Sequence, residues 1–291
     1  MIRSIGHVAL RVCDLDAALE HATQILGLHE VERSDGTVYL TCDASHHGLQ
    51  LIRSDQVALD HVAFEAAGVE GLERLRDVLV KEGVPIVSEE PEEAGITQAI
   101  RFLGPAGILF EVYADMGRVN PHYNSPGVRP VKLQHVTLRS ERVEEMEEFL
   151  GLLGFKLSDR IGDMIIWMRC NPDHHGVAVI RGGNGLHHYA WEVEGWSDLE
   201  RLGDHLLANG KRFMFGPGRH GPGLNLFCYH LDGAGVLVEY TADLVRIYDD
   251  AAYEPLDWPN TPESINQWGP AAPEEFLAQA TPAAEPATSS A

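Results

Sequence analysis

The sequence IGHVALRV at residues 5–12 returns as LQHVTLRS at residues 133–140. Two further stretches return at the same interval: LDHVAFEAAG (59–68) as LHHYAWEVEG (186–195), and GPAGILFEVYAD (104–115) as DGAGVLVEYTAD (232–243). Matching residues are 127 or 128 positions apart in every case. Because self-similarity at a fixed interval indicates a duplicated structural unit, we predict two similar halves followed by a tail.

Each half is in turn predicted to contain two copies of one module. A strand opens each quarter and an amphipathic helix follows, as in GLERLRDVLVKEG (71–83), where Leu72, Leu75 and Leu79 fall at helical spacing and Gly83 suits the helix end. Short alternating runs such as TVYLTC and GVAVIR come next and are typical of strands. Since each sheet must bury one face, the predicted fold is α+β, with four βαβββ modules paired into two barrel-like domains.

The predicted boundaries follow the repeats. Residues 1–116 form an N-terminal domain, 117–130 a linker rich in Gly, Pro and Asn, 131–244 a C-terminal domain and 245–291 a tail. The last stretch of the tail, ATPAAEPATSSA, is low in complexity, which predicts a mobile end.

The composition argues against several classes of partner. The 291 residues include 22 Lys and Arg against 44 Asp and Glu, a formal net charge of −22. Because the chain offers no basic cluster for phosphates, neither nucleic acid nor a membrane surface is expected as a partner. No apolar run approaches the roughly 20 residues of a membrane span, and the four cysteines form no CxxC pair. A cytoplasmic protein with reduced thiols is therefore expected.

Three polar residues recur at matching positions in the two halves. They are His7, His61 and Glu111 in the first half and His135, His188 and Glu239 in the second. Glu239 lies in VLVEYT, where an isolated buried carboxylate is costly unless it is paired or bound to a cation. Two imidazoles and one carboxylate form a facial set with open positions, typical of non-haem Fe(II) oxygen chemistry. The alternative, ordinary core histidines, explains the joint recurrence of all three residues less well.

With these residues the chain resembles the type I extradiol ring-cleavage dioxygenases, such as catechol 2,3-dioxygenase, of the vicinal oxygen chelate superfamily. The resemblance covers residues 1–244. It implies His135, His188 and Glu239 as metal ligands, with His188 preferred to its neighbour His187, and an N-terminal domain without catalytic function. It also implies assembly into homo-oligomers. Fe(II) is the implied cofactor and Mn(II) its alternative, because ligand type barely separates the two ions.

Three more residues match the acid–base set of that family. His175 stands in NPDHHGVAVI, His220 stands in GPGRHGPG, and Tyr229 follows nine residues after His220 and ten before Glu239. The resemblance implies that His175 transfers protons near bound oxygen, while His220 and Tyr229 hydrogen-bond the substrate oxygens. The structural alternatives are a surface turn for His175, an exposed loop for His220 and core packing for Tyr229.

The N-terminal half lacks these partners. The positions 128 residues before His220 and Tyr229 hold Glu92 and Arg101. We therefore predict that this half carries no catalytic metal, although it keeps the two histidines and the glutamate.

The implied function is extradiol (meta) cleavage of a catechol-type aromatic diol by dioxygen, in the degradation of aromatic compounds. A metal-dependent glyoxalase-like isomerase and a non-enzymatic small-molecule-binding protein of the same superfamily are the alternatives, and neither needs the acid–base set. Four aromatic residues predict an apolar pocket, which suits a hydrophobic catechol or a bicyclic diol: Trp167, Trp191, Phe213 and Phe215.

Overall fold

The computed structural model describes residues 1–123 and 125–285. The first half contains β1 (Ile2–Val12), α1 (Leu15–Gln24), β2 (His29–Ser34), β3 (Thr37–Thr41), β4 (Leu49–Arg53), β5 (Ala58–Ala66), α2 (Val69–Glu82), β6 (Ile86–Ser88), β7 (Ile96–Leu103) and β8 (Leu109–Met116). The second half contains β9 (Lys132–Ser140), α3 (Val143–Leu152), β10 (Lys156–Ile161), β11 (Ile165–Arg169), β12 (Val177–Arg181), β13 (Gly185–Glu192), α4 (Trp196–Ala208), β14 (Phe215–Arg219), β15 (Leu226–Leu231) and β16 (Leu237–Ala242). The tail adds β17 (Leu256–Asp257), α5 (Pro262–Ile265), α6 (Glu274–Leu277) and β18 (Thr281–Pro282).

This order confirms the predicted fold of four βαβββ modules. The N-terminal sheet runs β2-β3-β4-β1-β5-β8-β7-β6, and the corresponding eight strands of the second half run β14-β15-β16-β13-β9-β12-β11-β10. In each domain the first strands of the two modules pair antiparallel at the centre, and each pairs in parallel with the last strand of its own module. The two modules of a domain therefore meet at a central pair of strands.

Local chemistry accounts for the start of α1 and the end of α2. The Asp14 carboxylate accepts the backbone N–H of Ala17 at 3.0 Å and caps α1. Helix α2 ends at Gly83, whose φ of 69° lies in the left-handed region that glycine adopts without a Cβ clash. The leucine stripe of α2 is buried against the sheet, so hydrophobic packing adds to the stability of the helix.

One continuous core joins the two domains. Its apolar side chains come from both sheets, and the Phe64 and Phe155 rings meet across the joint with centroids 5.1 Å apart. The Tyr240 hydroxyl lies within hydrogen-bond distance of the backbone carbonyls of Leu26 (2.8 Å) and Val128 (3.0 Å), which share its one proton. Packing and hydrogen bonds thus fix the C-terminal domain against the first half of the chain.

Residues 256–283, which we call the strap, wrap the C-terminal sheet. Strand β17 extends the sheet beside β10, and β18 pairs with β13. Ala283 then forms a bridge with Leu59 of the N-terminal domain. Thr281–Pro282 is thus paired, unlike the mobile end expected from composition, and residues 286–291 lie outside the described part of the chain.

Two smaller findings bear on the sequence analysis. Within residues 1–123 and 125–285, no helix is long and apolar enough to cross a membrane. All four cysteines are free; Cys42 and Cys228 are buried, and Cys13 is exposed.

Candidate metal centre and active site

The pleat of three neighbouring strands brings the two repeated histidines and the glutamate of the second half together. Ala190 on β13 lies opposite His135 on β9 and opposite Glu239 on β16. His188 precedes Ala190 by two residues. Since alternate residues of a strand share one face and cross-strand neighbours point the same way, all three polar side chains project from the same face of the sheet.

The three side chains converge closely. The Nε2 atoms of His135 and His188 are 3.2 Å apart, and they lie 3.2 and 3.1 Å from Glu239 Oε2. All three residues are buried. Burial raises the pKa of the Glu239 carboxyl, but the two imidazoles outweigh it and hold that pKa well below its usual range. An ionised carboxylate beside two imidazole nitrogens is the donor set of a divalent metal with open positions, so the residues fit such an ion.

Four other side chains orient these donors. The Gln134 amide contacts His135 Nδ1, and Asn225 Nδ2 donates to Glu239 Oε1 at 3.2 Å. Thr137 Oγ1 lies 3.0 Å from His188 Nε2, and His187 Nδ1 lies 2.7 Å from His188 Nδ1. Second-layer contacts of this kind set ligand orientation. The sequence analysis did not identify Gln134 and Asn225. An uncharged amide within an apolar strand, or directly before one, could have pointed to them.

The predicted acid–base residues reach the same cavity. His175, just before β12, has its ring centroid 4.5 Å from that of His135. His220 follows β14, and its Nε2 accepts from the Tyr229 hydroxyl at 3.0 Å. His220 Nδ1 donates to the Ile265 carbonyl of the strap at 2.6 Å, which fixes the proton on Nδ1. The structure thus brings His175, His220 and Tyr229 beside the metal-ligand candidates, and His175 and Tyr229 are buried.

Burial controls the protonation of these three groups. It lowers the pKa of His175 well below the usual value, with His135 and His174 adding to the effect. Burial also lowers the pKa of His220, and it raises the pKa of the Tyr229 phenol, together with the nearby Glu239 charge. At neutral pH both histidines are therefore neutral and able to accept a proton, while the tyrosine keeps its own.

The cavity that these residues line has a volume of about 480 Å³. Besides the metal-ligand candidates and the acid–base residues, its lining includes Arg139 and Arg181. Much of the remaining wall is apolar and is built by β11, β12 and the strap: Ile165, Trp167, Ala178, Ile180, Ile265, Ala272, Phe276 and Leu277. Of the four aromatic residues expected in the pocket, Trp167 lies in this wall.

The other three aromatic residues lie elsewhere. Trp191 is fully buried in the core. Phe213 packs against that core from outside, and Phe215 belongs to a smaller aromatic cluster with Phe276. The strap residue Phe276, which sequence reasoning missed, takes the place expected of them. It lies in a segment without an internal repeat, so no pattern pointed to it.

The corresponding cluster in the N-terminal half is filled by protein charges. The guanidinium of Arg101 donates from Nε to Glu111 Oε2 and from its second amino group to Glu93 Oε1, both at 2.7 Å. Glu93 in turn lies 2.9 Å from His7 Nε2 and 2.8 Å from His61 Nε2. Burial lowers the pKa of His61, but Glu93 and Asp60 outweigh it and raise this pKa to about 10.

The N-terminal set therefore differs from the expected triad of His7, His61 and Glu111. Glu93, which sequence reasoning missed, bridges the two histidines, and Arg101 is the ion-pair partner of Glu111. In this half of the chain, the Arg101 guanidinium and the His61 imidazolium supply the positive charge that a metal ion would bring.

Comparison with known proteins identifies the family. The model of the Glyoxalase/Bleomycin resistance protein/Dioxygenase superfamily matches residues 4–112 and 132–240. The manganese-dependent 2,3-dihydroxybiphenyl 1,2-dioxygenase of Geobacillus genomosp. 3 is 30% identical, with 88% of this chain and 90% of the relative covered. The metapyrocatechase of Pseudomonas sp. (strain CF600) is 29% identical over 87% of this chain and 89% of the relative.

Solved structures agree with this assignment. A Mn(II)-bound glyoxalase from Novosphingobium aromaticivorans superposes with a TM-score of 0.87 at 29% identity, covering 98% of this chain and 97% of that one. The 2,3-dioxygenase LapB from Pseudomonas sp. KL28 gives 0.82 at 29% identity, covering 89% and 97%. The duplicated fold, the convergent His/His/Glu set and these relatives together show that the chain belongs to the extradiol dioxygenases of the Glyoxalase/Bleomycin resistance protein/Dioxygenase superfamily.

Proposed function

We propose that this protein cleaves the ring of a catechol-type diol beside its two hydroxyl groups, incorporating both atoms of dioxygen, in the degradation of aromatic compounds. The observation that carries the proposal is the cavity in which His135, His188 and Glu239 converge next to the acid–base residues. An isomerase that works by metal chelation alone has no need of the three residues of that acid–base set.

The three convergent side chains would hold the metal ion. A bound Fe(II) or Mn(II) ion would bring the diol and dioxygen together and pass electrons between them. Both ions remain in the proposal: the resemblance favours iron, whereas a curated relative and a solved neighbour are named for manganese.

The acid–base residues divide the proton chemistry between them. Neutral His175 is placed to take a proton from a substrate hydroxyl and to return it later to an oxygen of the opening ring. Tyr229 and His220 form a hydrogen-bonded pair that is placed to contact a substrate oxygen and stabilise its negative charge. The strap contacts His220 through the Ile265 carbonyl and contributes Ala272 and Phe276 to the cavity wall.

The cavity points to a substrate larger than catechol. Its volume of about 480 Å³ falls in the range of drug-sized ligand sites, and its wall is mainly apolar. We propose a hydrophobic or bicyclic diol, whose hydroxyl-bearing edge faces the histidines and whose substituent contacts Trp167 and Phe276. The Geobacillus relative, by its name, acts on 2,3-dihydroxybiphenyl.

The test is metal analysis of anaerobically purified protein, followed by oxygen uptake with catechol, 3-methylcatechol and 2,3-dihydroxybiphenyl. We expect about one Fe or Mn per chain, one O2 consumed per diol and a yellow ring-opened product. His188→Ala should lose both metal and oxygen uptake. Bound metal without oxygen uptake across the panel would overturn the proposal, and assays with glutathione adducts of 2-oxoaldehydes would then test the isomerase alternative.

Assembly and location complete the proposal. We propose a cytoplasmic homo-oligomer, on the basis of the family resemblance. Light scattering after size exclusion gives the mass of the particle, and a value equal to the 32.0 kDa chain would contradict it.

A further inference from the structure

Adjacent histidines contact each other through their Nδ1 atoms at three places in this chain. The Nδ1–Nδ1 distances are 3.0, 3.1 and 2.7 Å in the pairs His46–His47, His174–His175 and His187–His188. One Nδ1 must carry a proton and the other must accept it. In the pair His174–His175, the group that contacts His174 therefore decides which tautomer His175 adopts.

From His175, the series of contacts runs through His174 and ends on a buried carboxylate. His174 Nε2 lies 3.2 Å from Asp159 Oδ2 on β10, and both residues are buried. The contact is an ion-pair distance without hydrogen-bond geometry. A negative charge 3.2 Å from Nε2 favours the proton on that nitrogen, so we place the proton of His174 on Nε2. His174 Nδ1 is then an acceptor for the Nδ1–H of His175, and His175 Nε2 carries no proton.

The strap and Tyr253, which precedes it in the chain, surround Asp159 with hydrogen-bond donors. Oδ1 accepts the backbone N–H of Leu256 (2.9 Å) and the hydroxyl of Tyr253 (3.2 Å), and Oδ2 accepts Nε1–H of Trp258 (2.8 Å). Burial raises the pKa of Asp159, but His174, Leu256 and Trp258 outweigh it and bring the pKa below its usual value. The carboxylate thus stays charged at the end of the histidine pair.

We propose that Asp159 and His174 are positioning residues that fix His175 in its Nδ1–H tautomer, with a bare Nε2 ready to accept the substrate proton. This inference rests on the proposed acid–base role of His175. It assigns a task to His174, for which the sequence favoured a surface turn, and it links the strap to the chemistry through Trp258.

The N-terminal half has a similar pair of adjacent histidines, but that pair positions no acid–base residue. His46 Nε2 lies 3.3 Å from Glu32 Oε2, but the Glu32 side chain is 46% exposed, against 3% for Asp159. His47 Nε2 is 3.1 Å from Glu93 and is therefore already paired. Variants of Glu32 and His46 are thus matched controls within one molecule.

In the Asp159→Asn variant, we expect His174 and His175 each to adopt the opposite tautomer. Because two donors point at Oδ1 and one at Oδ2, the amide keeps its oxygen at the Oδ1 position and turns its NH2 group toward His174, which leaves Trp258 Nε1–H without its acceptor. His174 then accepts at Nε2, carries its proton on Nδ1 and forces the proton of His175 onto Nε2. A histidine already protonated at Nε2 cannot take a proton from the substrate.

A spectroscopic experiment tests the tautomers without any turnover. The full chain, labelled with 15N-histidine and loaded with diamagnetic Zn(II), is measured by two-bond 1H–15N correlation, with His174→Gln and His175→Gln used to assign the signals. We expect the Nε2–H form for His174, the Nδ1–H form for His175, and both reversed in Asp159→Asn. An Nε2–H signal for wild-type His175 would overturn the inference.

Kinetics provide the second readout. We expect Asp159→Asn to lower kcat for the diol at least about 100-fold, within the usual contribution of a general base, with KM and bound metal nearly unchanged. His174→Leu should lose as much, whereas His174→Gln, which can both accept and donate, should regain most of kcat. Glu32→Gln and His46→Leu should leave kcat unchanged.

The outcomes separate this inference from the proposed function. Unchanged kcat in Asp159→Asn and His174→Leu, with an active wild type, would overturn the positioning role and leave ring cleavage standing. A wild type inactive on every diol would count against ring cleavage alone, because the tautomers are still decided by the spectra.

Discussion

Arg101 and Tyr229 occupy the same place in the two halves of the chain. Arg101 lies opposite Glu111 on neighbouring strands, and Tyr229 lies opposite Glu239 in the same way. In one half the partner of the glutamate brings a permanent positive charge; in the other it is a neutral phenol. The Arg101 cation already pairs with the Glu111 carboxylate, and we expect this pairing to lower the tendency of the N-terminal cluster to bind a metal ion.

This difference leads to a prediction for a matched pair of variants. Glu111→Gln should leave about one metal ion per chain, because we expect the N-terminal cluster to bind none, and should lower the free energy of unfolding by about 1.5–3 kcal/mol, the usual worth of a hydrogen bond to a charged group. Glu239→Gln should lose the metal. Elemental analysis and urea unfolding measure both effects, and loss of metal from folded Glu111→Gln would contradict the prediction.

At the scale of single residues, the sequence was informative where the duplication repeated a polar position. His135, His188 and Glu239 could be found because their counterparts stand 127 or 128 residues away. Asn225 and Asp159 could not, because their importance depends on which strand lies beside them. Asp159 reads as one more acid in a chain with 44, until the strap and His174 are seen to surround it.

Among the elements, the modules were predictable and the strap was not. A βαβββ module shows itself through the period of its leucines and through its repetition. Residues 256–283 contain two short helices and two two-residue strands, and segments this short are held by tertiary contacts rather than by propensity. The contact of Ile265 with His220 therefore has no counterpart in the local sequence.

The strap carries a prediction about substrate selection. The ring of Phe276 lies 4.7 Å from that of Tyr229 and 4.9 Å from that of Phe215, measured between centroids. We expect Phe276→Ala to lower the free energy of unfolding by about 3 kcal/mol and to raise KM for 2,3-dihydroxybiphenyl about tenfold, the equivalent of about 1.4 kcal/mol of lost apolar contact. KM for catechol should change less than about threefold, since catechol has no substituent to lose that contact.

Phe276→Leu serves as the control for that experiment. A smaller apolar side chain retains most of the wall and should cost less than about 1.5 kcal/mol of stability. Steady-state oxygen uptake with both diols measures KM, and thermal unfolding measures stability. An equal rise of KM for both diols in Phe276→Ala would show that the ring does not contact the substituent.

In the whole molecule, the two domains meet at an interface that the internal repeat does not predict. His21 on α1 and His230 on β15 face each other with their Nε2 atoms 3.2 Å apart, and both are buried. Repeats identify what the halves have in common, whereas a joint between halves uses faces that differ. The sequence therefore predicted two domains but gave no signal for the residues that hold them together.

The joint makes stability depend on pH in a direction that can be worked out. Burial, with a smaller contribution from Lys211, lowers the pKa of His21 from 6.5 to about 3. Between these values the unfolded chain binds a proton that the folded chain does not, so stability falls as pH falls, by about 2 kcal/mol between pH 6.5 and pH 5. His230 shifts in the same direction. In His21→Gln this part of the loss should disappear from urea unfolding curves measured at pH 7 and pH 5. His122→Gln, which removes an exposed histidine, should behave as wild type, and an unchanged pH dependence in His21→Gln would show that the joint is not the acid-sensitive element.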